Sequence, residues 1–269
     1  MADTALASAP DEVINKKLVA GSFSRAAPSY DSVASLQRQV GGKLLQLRPD
    51  NWRGQLLDLG SGTGYFSLPL AQLPGTRVVA LDLAQGMLDF ARSARPHPGI
   101  NYLCADAEQL PLAEGCLDGV FSSLAIQWCQ NPDQLFTELT RTLRPGGSAL
   151  IATLGPDTLN ELRQAWAAVD QYQHVNQFLS QQRLEYLLGS LFEIEVFEQQ
   201  RIVLQFDQLK QLTDELKDLG AHNLNPGRQT SLSGRQRVKA FRTAYERLRD
   251  DQGKIPATYQ VFYYRLRRL

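Results

Sequence analysis

LDLGSGTG, at residues 57–64, decides the fold of this chain of 269 residues. A short apolar strand is predicted at residues 55–59, and the glycines follow it and open a predicted helix at residues 65–73. Glycine carries no Cβ, so its backbone can approach a ligand closely. The spacing is G-x-G-x-G, whereas loops that bind dinucleotides carry G-x-G-x-x-G. The stretch therefore indicates a ligand-binding loop at the end of a strand.

Strand and helix patterns alternate beyond this loop. Further strands are predicted at residues 77–82, 100–104, 117–122 and 148–154, and helices at 84–94 and 134–143. Such alternation is typical of a parallel sheet with helices on both faces. We therefore predict an α/β protein with a doubly wound sheet.

The pattern divides the chain into four parts. These are a flexible tail (1–12), N-terminal helices (13–50), the ligand-binding core (51–155), and the remaining core strands with a helical cap or substrate region (156–269). Pro28 interrupts the periodicity of the second part, which predicts two helices with a break there. In the last part, helices are predicted at 156–169, 180–190, 207–219 and 235–249, one or two strands at 192–206, and a strand at 258–265.

The formal net charge is zero, with 28 Lys and Arg against 28 Asp and Glu. A balanced charge argues against a protein that binds nucleic acid through its phosphates. The balance hides an asymmetry, because residues 225–269 hold 11 basic and three acidic residues. The last 45 residues therefore carry a net charge of +8, and the first 224 carry −8.

Cysteine and histidine usage indicates a reducing compartment and no metal. Cys104, Cys116 and Cys129 form an odd set that does not suit a disulfide framework. His97, His174 and His222 are not spaced like a metal site. The N-terminus lacks a signal-peptide pattern, and no run approaches the ~18 apolar residues of a membrane span. We expect a cytoplasmic protein that contacts neither membrane nor nucleic acid.

Three acids lie at or just after the carboxyl ends of three consecutive predicted strands. Because open α/β sheets bind ligands at the carboxyl ends of their strands, these acids are expected to meet in one crevice. Asp58 could receive an ammonium group, Asp82 the two hydroxyls of a ribose, and Asp106 an adenine amino group. As alternatives, Asp82 could cap a helix and Asp106 could be a turn residue. As a set they suit S-adenosylmethionine, which has an amine, a ribose and an adenine but no phosphate.

Four motifs in order resemble those of the class I S-adenosylmethionine-dependent methyltransferases. They are LDLGSGTG at 57–64, ALDLA at 80–84 with Met87, ADAEQLP at 105–111, and ELTRTLRPGG at 138–147. The resemblance implies a seven-stranded, mostly parallel, Rossmann-like sheet with N-terminal helices and a helical cap over the active site. It also implies S-adenosylmethionine as cofactor and S-adenosylhomocysteine as product.

The same resemblance implies which residues bind the cofactor. The glycine loop would hold the methionine part, Asp82 the ribose, and Asp106 with Ala107 the adenine. Leu83 and Met87 would flank the adenine ring, although both could equally be ordinary core residues. The full set is Asp58, Gly60, Gly62, Gly64, Asp82, Leu83, Met87, Asp106, Ala107 and Ser123.

Segments outside these motifs are similar to the malonyl-acyl-carrier-protein O-methyltransferase family of biotin synthesis. They are FSRAAPSYD at 23–31, LQR at 36–38, LAIQWC at 124–129, residues 165–178, GAHNL at 220–224, GR at 227–228, and PATY at 256–259. The resemblance implies methyl transfer to the free carboxylate of a malonyl thioester carried on acyl carrier protein, with malonyl coenzyme A left open as acceptor. Its candidate substrate-binding residues here are Tyr30, Gln127, Trp128 and Arg228.

This reaction needs no catalytic acid or base. A free carboxyl group titrates near pKa ~4, so the acceptor is ionised and already nucleophilic at neutral pH. Alignment and exclusion of water should then carry catalysis. Arg228 is the predicted partner of the acceptor carboxylate, because a guanidinium matches a carboxylate with two parallel hydrogen bonds. It could instead be a solvated loop arginine, and Tyr30 and Trp128 could be packing aromatics.

Other functions remain open from the sequence. The chain could methylate another small molecule, such as a quinone precursor or an amine, or bind the cofactor as a regulatory module without catalysis. An RNA methyltransferase is disfavoured, because SSLA stands at residues 122–125 where an NPPY-type tetrapeptide would be expected. The basic stretch at 235–249 is predicted to dock an acidic carrier protein, with a solvated helix as the alternative.

Overall fold

The structure is a computed structural model that describes residues 15–220 and 234–269. Its strands are β1 (Gly54–Leu59), β2 (Thr76–Asp82), β3 (Ile100–Cys104), β4 (Leu117–Ser123), β5 (Leu143–Leu154), β6 (Phe192–Phe206) and β7 (Ile255–Arg268). Its helices are α1 (Lys16–Val33), α2 (Ser35–Gln46), α3 (Ser67–Ala71), α4 (Gln85–Ala94), α5 (Pro132–Thr142), α6 (Asn160–Ala167), α7 (Gln181–Leu188), α8 (Leu209–Asp218) and α9 (Gly234–Glu246). A short 3₁₀ turn spans Ile126–Trp128.

The seven strands form one sheet in the order β3-β2-β1-β4-β5-β7-β6. β1 to β5 pair in parallel, and β7 runs antiparallel to both β5 and β6. The predicted doubly wound, seven-stranded, mostly parallel sheet is confirmed. β1 lies between β2 and β4, so the winding changes direction there. Ligands bind at such a switch point, outside the carboxyl ends of the strands.

The break between the first two helices was predicted wrongly at Pro28. Helix α1 runs through Pro28, and the break falls at Ala34, whose φ of −82° and ψ of 41° are not helical. Proline removes one helical hydrogen bond and crowds the carbonyl four residues earlier, here that of Ser24. Packing against α4 compensates: Gly86 N donates to Ser24 Oγ at 3.2 Å, and a Cβ on Gly86 would lie 2.9 Å from the Ser24 carbonyl oxygen.

Apolar side chains cover both faces of the sheet. One layer takes buried residues from α2, α6, α8 and α9, including Leu44, Leu162 and Phe241. The other takes them from α5 and α7, including Leu139 and Leu184. The two layers leave the carboxyl ends of β1, β2 and β4 uncovered by core side chains, and α1 crosses that edge. Among residues 15–220 and 234–269, no helix has the length and hydropathy needed to traverse a bilayer.

Candidate active site

A cavity of about 810 Å³, its open mouth included, lies at the carboxyl ends of β1, β2 and β4 beneath α1. Eight of the predicted cofactor residues line it: Gly60, Gly62, Asp82, Leu83, Met87, Asp106, Ala107 and Ser123. Helix α1 adds Lys16, Phe23 and Tyr30 to the lining. We call this space the cofactor cavity. The structure therefore brings together residues that are spread over about 100 positions of the sequence.

Asp82 ties the glycine loop to the second strand. Its Oδ2 accepts a hydrogen bond from Gly62 N, and its Oδ1 accepts one from Ala84 N, both at 2.8 Å. Burial raises the pKa of Asp82, although backbone hydrogen bonds from Ala84, Gly62 and Leu83 oppose the shift. Each carboxylate oxygen has two lone pairs, so one backbone bond on each leaves both able to accept a hydroxyl. This geometry suits a ribose and still holds the loop.

Gly60 permits a close approach inside the same loop. Its φ is +72°, a conformation in which other residues are strained. A Cβ at this position would lie 2.2 Å from the Cβ of Ala125. Gly62 also has a positive φ, but a Cβ there would meet nothing within 4 Å. At Gly60, both the conformation and the packing therefore demand glycine.

Two predicted cofactor residues do not line the cofactor cavity. Asp58 is 2% exposed, and its carboxylate accepts a hydrogen bond from Ser67 Oγ at 2.5 Å. Burial raises its pKa to about 7, which the Ser67 bond opposes and the nearby charge of Asp82 reinforces. Gly64 lies against α4, where a Cβ would be 3.0 Å from the Cβ of Ala91. Contact between Asp58 and an ammonium group stays a prediction.

At the adenine end predicted for the cavity, Asp106 lies in an ion-pair cluster. Its Oδ2 is 2.7 Å from Lys16 Nζ, and Lys16 also lies 2.8 Å from Glu108 Oε2. Asp106 Oδ1 accepts from the Glu108 N–H at 3.0 Å. The start of α1 is thereby tied to the loop after β3. Glu108 belongs to the quoted motif, but no pattern in the sequence singled out Lys16.

A second cavity, of about 1270 Å³ with its mouth included, adjoins the first. We call it the acceptor cavity. Its described walls come from α1, α2, α6, α8, α9 and the segments that follow β4 and β5, and they are mostly apolar. Four residues line both cavities: Phe23, Tyr30, Leu124 and Trp128. This shared wall joins the two cavities.

The structure brings together three of the four predicted acceptor residues and does not describe the fourth. Tyr30, Gln127 and Trp128 line the acceptor cavity, and the Trp128 ring meets the Phe23 ring edge-on with centroids 5.3 Å apart. Burial raises the pKa of Tyr30, with the charges of Asp82 and Asp31 adding to the effect, so its phenol stays protonated at neutral pH. Arg228 lies outside the described residues, as do most of the motif at 220–224 and the whole of that at 227–228.

The backbone is strained where the two cavities meet. Leu124 has a φ of +53°, which costs a residue with a side chain about 1–2 kcal/mol. Its N–H donates to the Ala152 carbonyl at 2.8 Å, and its carbonyl accepts from Gln127 Nε2 at 2.7 Å. Gln127 is thus fixed by the strained residue. Strain held in place by such bonds is typical of functional sites.

The comparison with known proteins gives the family. A family described as a methyltransferase domain matches residues 57–151. The chain is 45% identical over 263 residues to malonyl-[acyl-carrier protein] O-methyltransferase of Laribacter hongkongensis, covering 93% of this chain and 88% of that protein. The chain belongs to the malonyl-[acyl-carrier protein] O-methyltransferase family.

Members of this O-methyltransferase family also occur as part of longer proteins. The chain is 52% identical over 252 residues to the biotin biosynthesis bifunctional protein BioHC of Cellvibrio japonicus, covering 93% of this chain and 50% of that protein. It therefore spans about half the length of the bifunctional relative and most of the single-function one.

Solved structures share the fold of this O-methyltransferase family member. YcgJ of Bacillus subtilis superposes with a TM-score of 0.62 at 14% identity, covering 86% of this chain and 98% of that one. An S-adenosylmethionine-dependent methyltransferase of Mesorhizobium loti superposes with a TM-score of 0.53 at 20% identity, covering 84% and 96%.

The residues present fit S-adenosylmethionine, the cofactor of this O-methyltransferase family. A recess of about 430 Å³ between the glycine loop and helices α1 and α2 is lined by Gln37, Ser61 and Ser123. Gln37 Oε1, Ser61 Oγ and Ser123 Oγ are all buried without a hydrogen-bond partner within the described chain. Buried polar atoms are normally paired, so three orphaned oxygens beside the glycine loop fit a ligand that donates hydrogen bonds, as an ammonium group does.

No group of three or more His, Cys, Asp or Glu residues in the described chain is arranged to hold a metal ion. Cys104, Cys116 and Cys129 are free. Burial raises the pKa of Cys129, which lines the cofactor cavity, to about 12, with Glu108 adding to the shift. Its thiol therefore stays protonated and is not a nucleophile.

Proposed function

We propose that this chain transfers a methyl group from S-adenosylmethionine to the free carboxylate of a malonyl thioester on acyl carrier protein, an early step of biotin synthesis. The observation that carries the proposal is the wall of Phe23, Tyr30, Leu124 and Trp128 shared by the two cavities. One cavity suits an adenosine with an amine, and the other is large, apolar and adjacent. The names of the relatives support the choice of acceptor.

When bound, S-adenosylmethionine supplies an electrophilic methyl group on a sulfonium. Asp82 would accept hydrogen bonds from the ribose hydroxyls, and Asp106 would face the adenine amino group. The orphaned oxygens of Ser61, Ser123 and Gln37 would face the ammonium group. Together these residues fix the position of the donor relative to the shared wall.

The acceptor needs alignment more than activation. Its carboxylate, with pKa ~4, is ionised at neutral pH. Tyr30 carries a proton at that pH and cannot act as a base, but its O–H can donate a hydrogen bond. The shared wall is otherwise apolar and keeps water away from the reacting oxygen. Arg228 remains our prediction for holding the carboxylate.

The structure sharpens the docking prediction for the basic end of the chain. Many of its cations already have partners: Arg237 pairs with Asp170, Arg249 with Glu246, Lys254 with Asp207, and Arg265 and Arg267 with acids of β6. Four are exposed and form no ion pair with any described residue: Arg235, Lys239, Arg242 and Arg247.

Three of these free cations lie on one face of α9. Arg235, Lys239 and Arg242 are spaced at four and three residues, so they share that face. The opposite face carries Phe241, which lines the acceptor cavity. A helix is about 10 Å across, so the basic face lies one helix diameter from that cavity. We infer that this surface receives an acidic acyl carrier protein, in the cytoplasm, where the three free cysteines would stay reduced.

An acceptor screen tests the proposal. Methyl-labelled S-adenosylmethionine is mixed with malonyl-acyl carrier protein, malonyl coenzyme A or free malonate, and methyl ester is measured. We expect ester from malonyl-acyl carrier protein, and none from acetyl-acyl carrier protein, which lacks the free carboxylate. Failure to methylate any malonyl thioester, with turnover of an amine or quinone precursor instead, would reject this acceptor. Product from no acceptor at all would favour a non-catalytic module.

A further inference from the structure

His174 is a polar side chain of the acceptor cavity. His174 lies between α6 and α7, and its ring stacks on Trp166 with centroids 3.8 Å apart and planes 8° apart. Trp166 in turn stacks on Phe241 of α9, with centroids 4.2 Å apart. All three rings line the acceptor cavity. The stack fixes the plane of the imidazole.

Asp170 fixes which nitrogen of that imidazole is free. Asp170 Oδ1 is 2.8 Å from His174 Nε2, and its Oδ2 accepts from Arg237 of α9. Burial opposes ionisation of Asp170, but the hydrogen bonds from Arg237, His174 and the Tyr172 N–H outweigh it and hold its pKa below the usual range. An ionised carboxylate only accepts hydrogen bonds, so Nε2 carries the hydrogen.

The other nitrogen, Nδ1, has no partner within the described chain. On a neutral ring it would offer a lone pair, and on a protonated ring it would offer an N–H and a positive charge. Among the described residues that line the acceptor cavity there is no Lys, Arg, Asp or Glu. His174 is therefore the one described lining side chain that can present a positive charge to a ligand there.

One acid and two arginines lie around His174. Asp170 lies in its own segment, and Arg237 reaches it from α9. Arg163 of α6 donates to the Asn176 carbonyl nearby. Asp170 already pairs with Arg237, so a protonated His174 would share that one anion with the arginine. A bound carboxylate would supply a second anion.

We propose that His174, in its protonated form, donates a hydrogen bond from Nδ1 to the carboxylate of the acceptor and so selects an anionic acyl group. Asp170 and Arg237 are positioning residues that keep Nε2 occupied and aim Nδ1. The proposal rests on the proposed function, because it assigns a binding partner to the malonyl carboxylate. His174 would hold one carboxylate oxygen, alongside the contact predicted for Arg228, and the other oxygen must stay free to attack.

The test compares His174→Phe, which keeps a ring to stack on Trp166, with His174→Gln, which keeps a donor. KM for malonyl-acyl carrier protein should rise about 10- to 100-fold in H174F, the range for a lost hydrogen bond to a charged group, and less in H174Q. The affinity for S-adenosylmethionine should not change. Any change of the wild-type KM between pH 6 and pH 8 should be absent in H174F.

An unchanged KM in H174F, with the wild-type pH dependence, would overturn the proposal. A second readout does not depend on turnover. Calorimetry of malonyl coenzyme A binding should give a lower affinity for H174F than for the wild type, and equal affinities overturn the assignment. If wild-type enzyme esterifies no malonyl thioester, the proposed function itself fails. If the wild-type enzyme esterifies a malonyl thioester but the KM of H174F is unchanged, only the role assigned to His174 fails.

Discussion

The two cavities are built in different ways. The cofactor cavity is made by the ends of neighbouring parallel strands, with backbone N–H groups, glycines and carboxylates close together in the sequence. The acceptor cavity is made by side chains of helices that come from both ends of the chain. The first is specified locally and is lined by charged side chains, whereas the second has no Lys, Arg, Asp or Glu among its described lining residues and exists only after the helices have packed. Substitutions in the cofactor cavity should therefore change cofactor affinity, and substitutions in the acceptor half should change KM for the acceptor.

The largest effect is expected at Gly60. Gly60→Ala combines a strained φ with a Cβ placed 2.2 Å from Ala125, so the loop must move away from Asp82. We expect cofactor affinity to fall roughly 100-fold or more, from an overpacking cost of about 1–3 kcal/mol and a strain cost of about 1–2 kcal/mol. Gly75→Ala is the matched control, because Gly75 has the same φ of +72° but open space around it. Equal cofactor binding by the two variants in calorimetry would contradict the close approach.

Asp82→Ala should weaken cofactor binding by about 1–3 kcal/mol, the range for a lost hydrogen bond to a charged group. The acceptor cavity should be left intact, because Asp82 does not line it. Asp89→Ala, an exposed acid on α4, serves as control. Fluorescence or calorimetric titration with S-adenosylhomocysteine measures the change. Wild-type affinity in D82A would refute the ribose assignment.

The raised pKa of Asp58, a residue of β1, predicts that the free energy of unfolding depends on pH. Its pKa is raised to about 7 in the folded chain by burial, above its ordinary value of 3.8. The folded state then binds more protons than the unfolded state, so stability is full below about pH 4 and falls as pH rises toward 7. The slope approaches about 1.4 kcal/mol per pH unit.

Asp58→Asn keeps an acceptor for Ser67 and removes this titration. Urea unfolding at pH 5, 6, 7 and 8 should show the free energy of unfolding of the wild type declining relative to D58N as pH rises. A constant difference between the two proteins across that range would count against a buried, protonated Asp58.

The smallest effect is expected on the outer face of the acceptor half. Arg235→Glu, Lys239→Glu and Arg242→Glu together should raise KM for malonyl-acyl carrier protein about 5- to 10-fold at low salt, and less at high salt. KM for malonyl coenzyme A should change less. The control triple is Arg48→Glu, Arg53→Glu and Arg77→Glu, three exposed arginines near the amino ends of the strands, with the same change of charge. Identical KM values in both triples would show that the basic face receives no carrier.

The strands of the cofactor half were predictable from the sequence, because their motifs are local. The strand at 100–104 was predicted with the bounds the structure has, and eight predicted cofactor residues share one cavity. The prediction failed where long-range packing decides. Pro28 does not end α1, because contact with Gly86 supports the helix. Strand β5 begins at Leu143, five residues earlier than predicted, because the turn signal from Pro145 to Gly147 lies inside the strand.

The acceptor half was less predictable for the same reason. Which face of a cap helix turns inward depends on partners far away in the sequence, and the stack of Trp166, His174 and Phe241 joins three separate segments. Long-range packing also decides which charges of the +8 segment, the last 45 residues, stay unpaired. Strands β6 and β7 are 48 residues apart in the chain but adjacent in the sheet, so acids of one neutralise arginines of the other.

Helix α1 belongs to both halves. Its residues Phe23 and Tyr30 line both cavities, and Lys16 ties its start to Asp106 and Glu108. Because Phe23 and Tyr30 line both cavities, a ligand that displaces these side chains in one cavity changes the shape of the other cavity. Thermodynamic linkage makes such an effect reciprocal. If bound cofactor changes the acceptor affinity by a given factor, bound acceptor changes the cofactor affinity by the same factor. Any coupling between the donor and acceptor sites would therefore act equally in both directions.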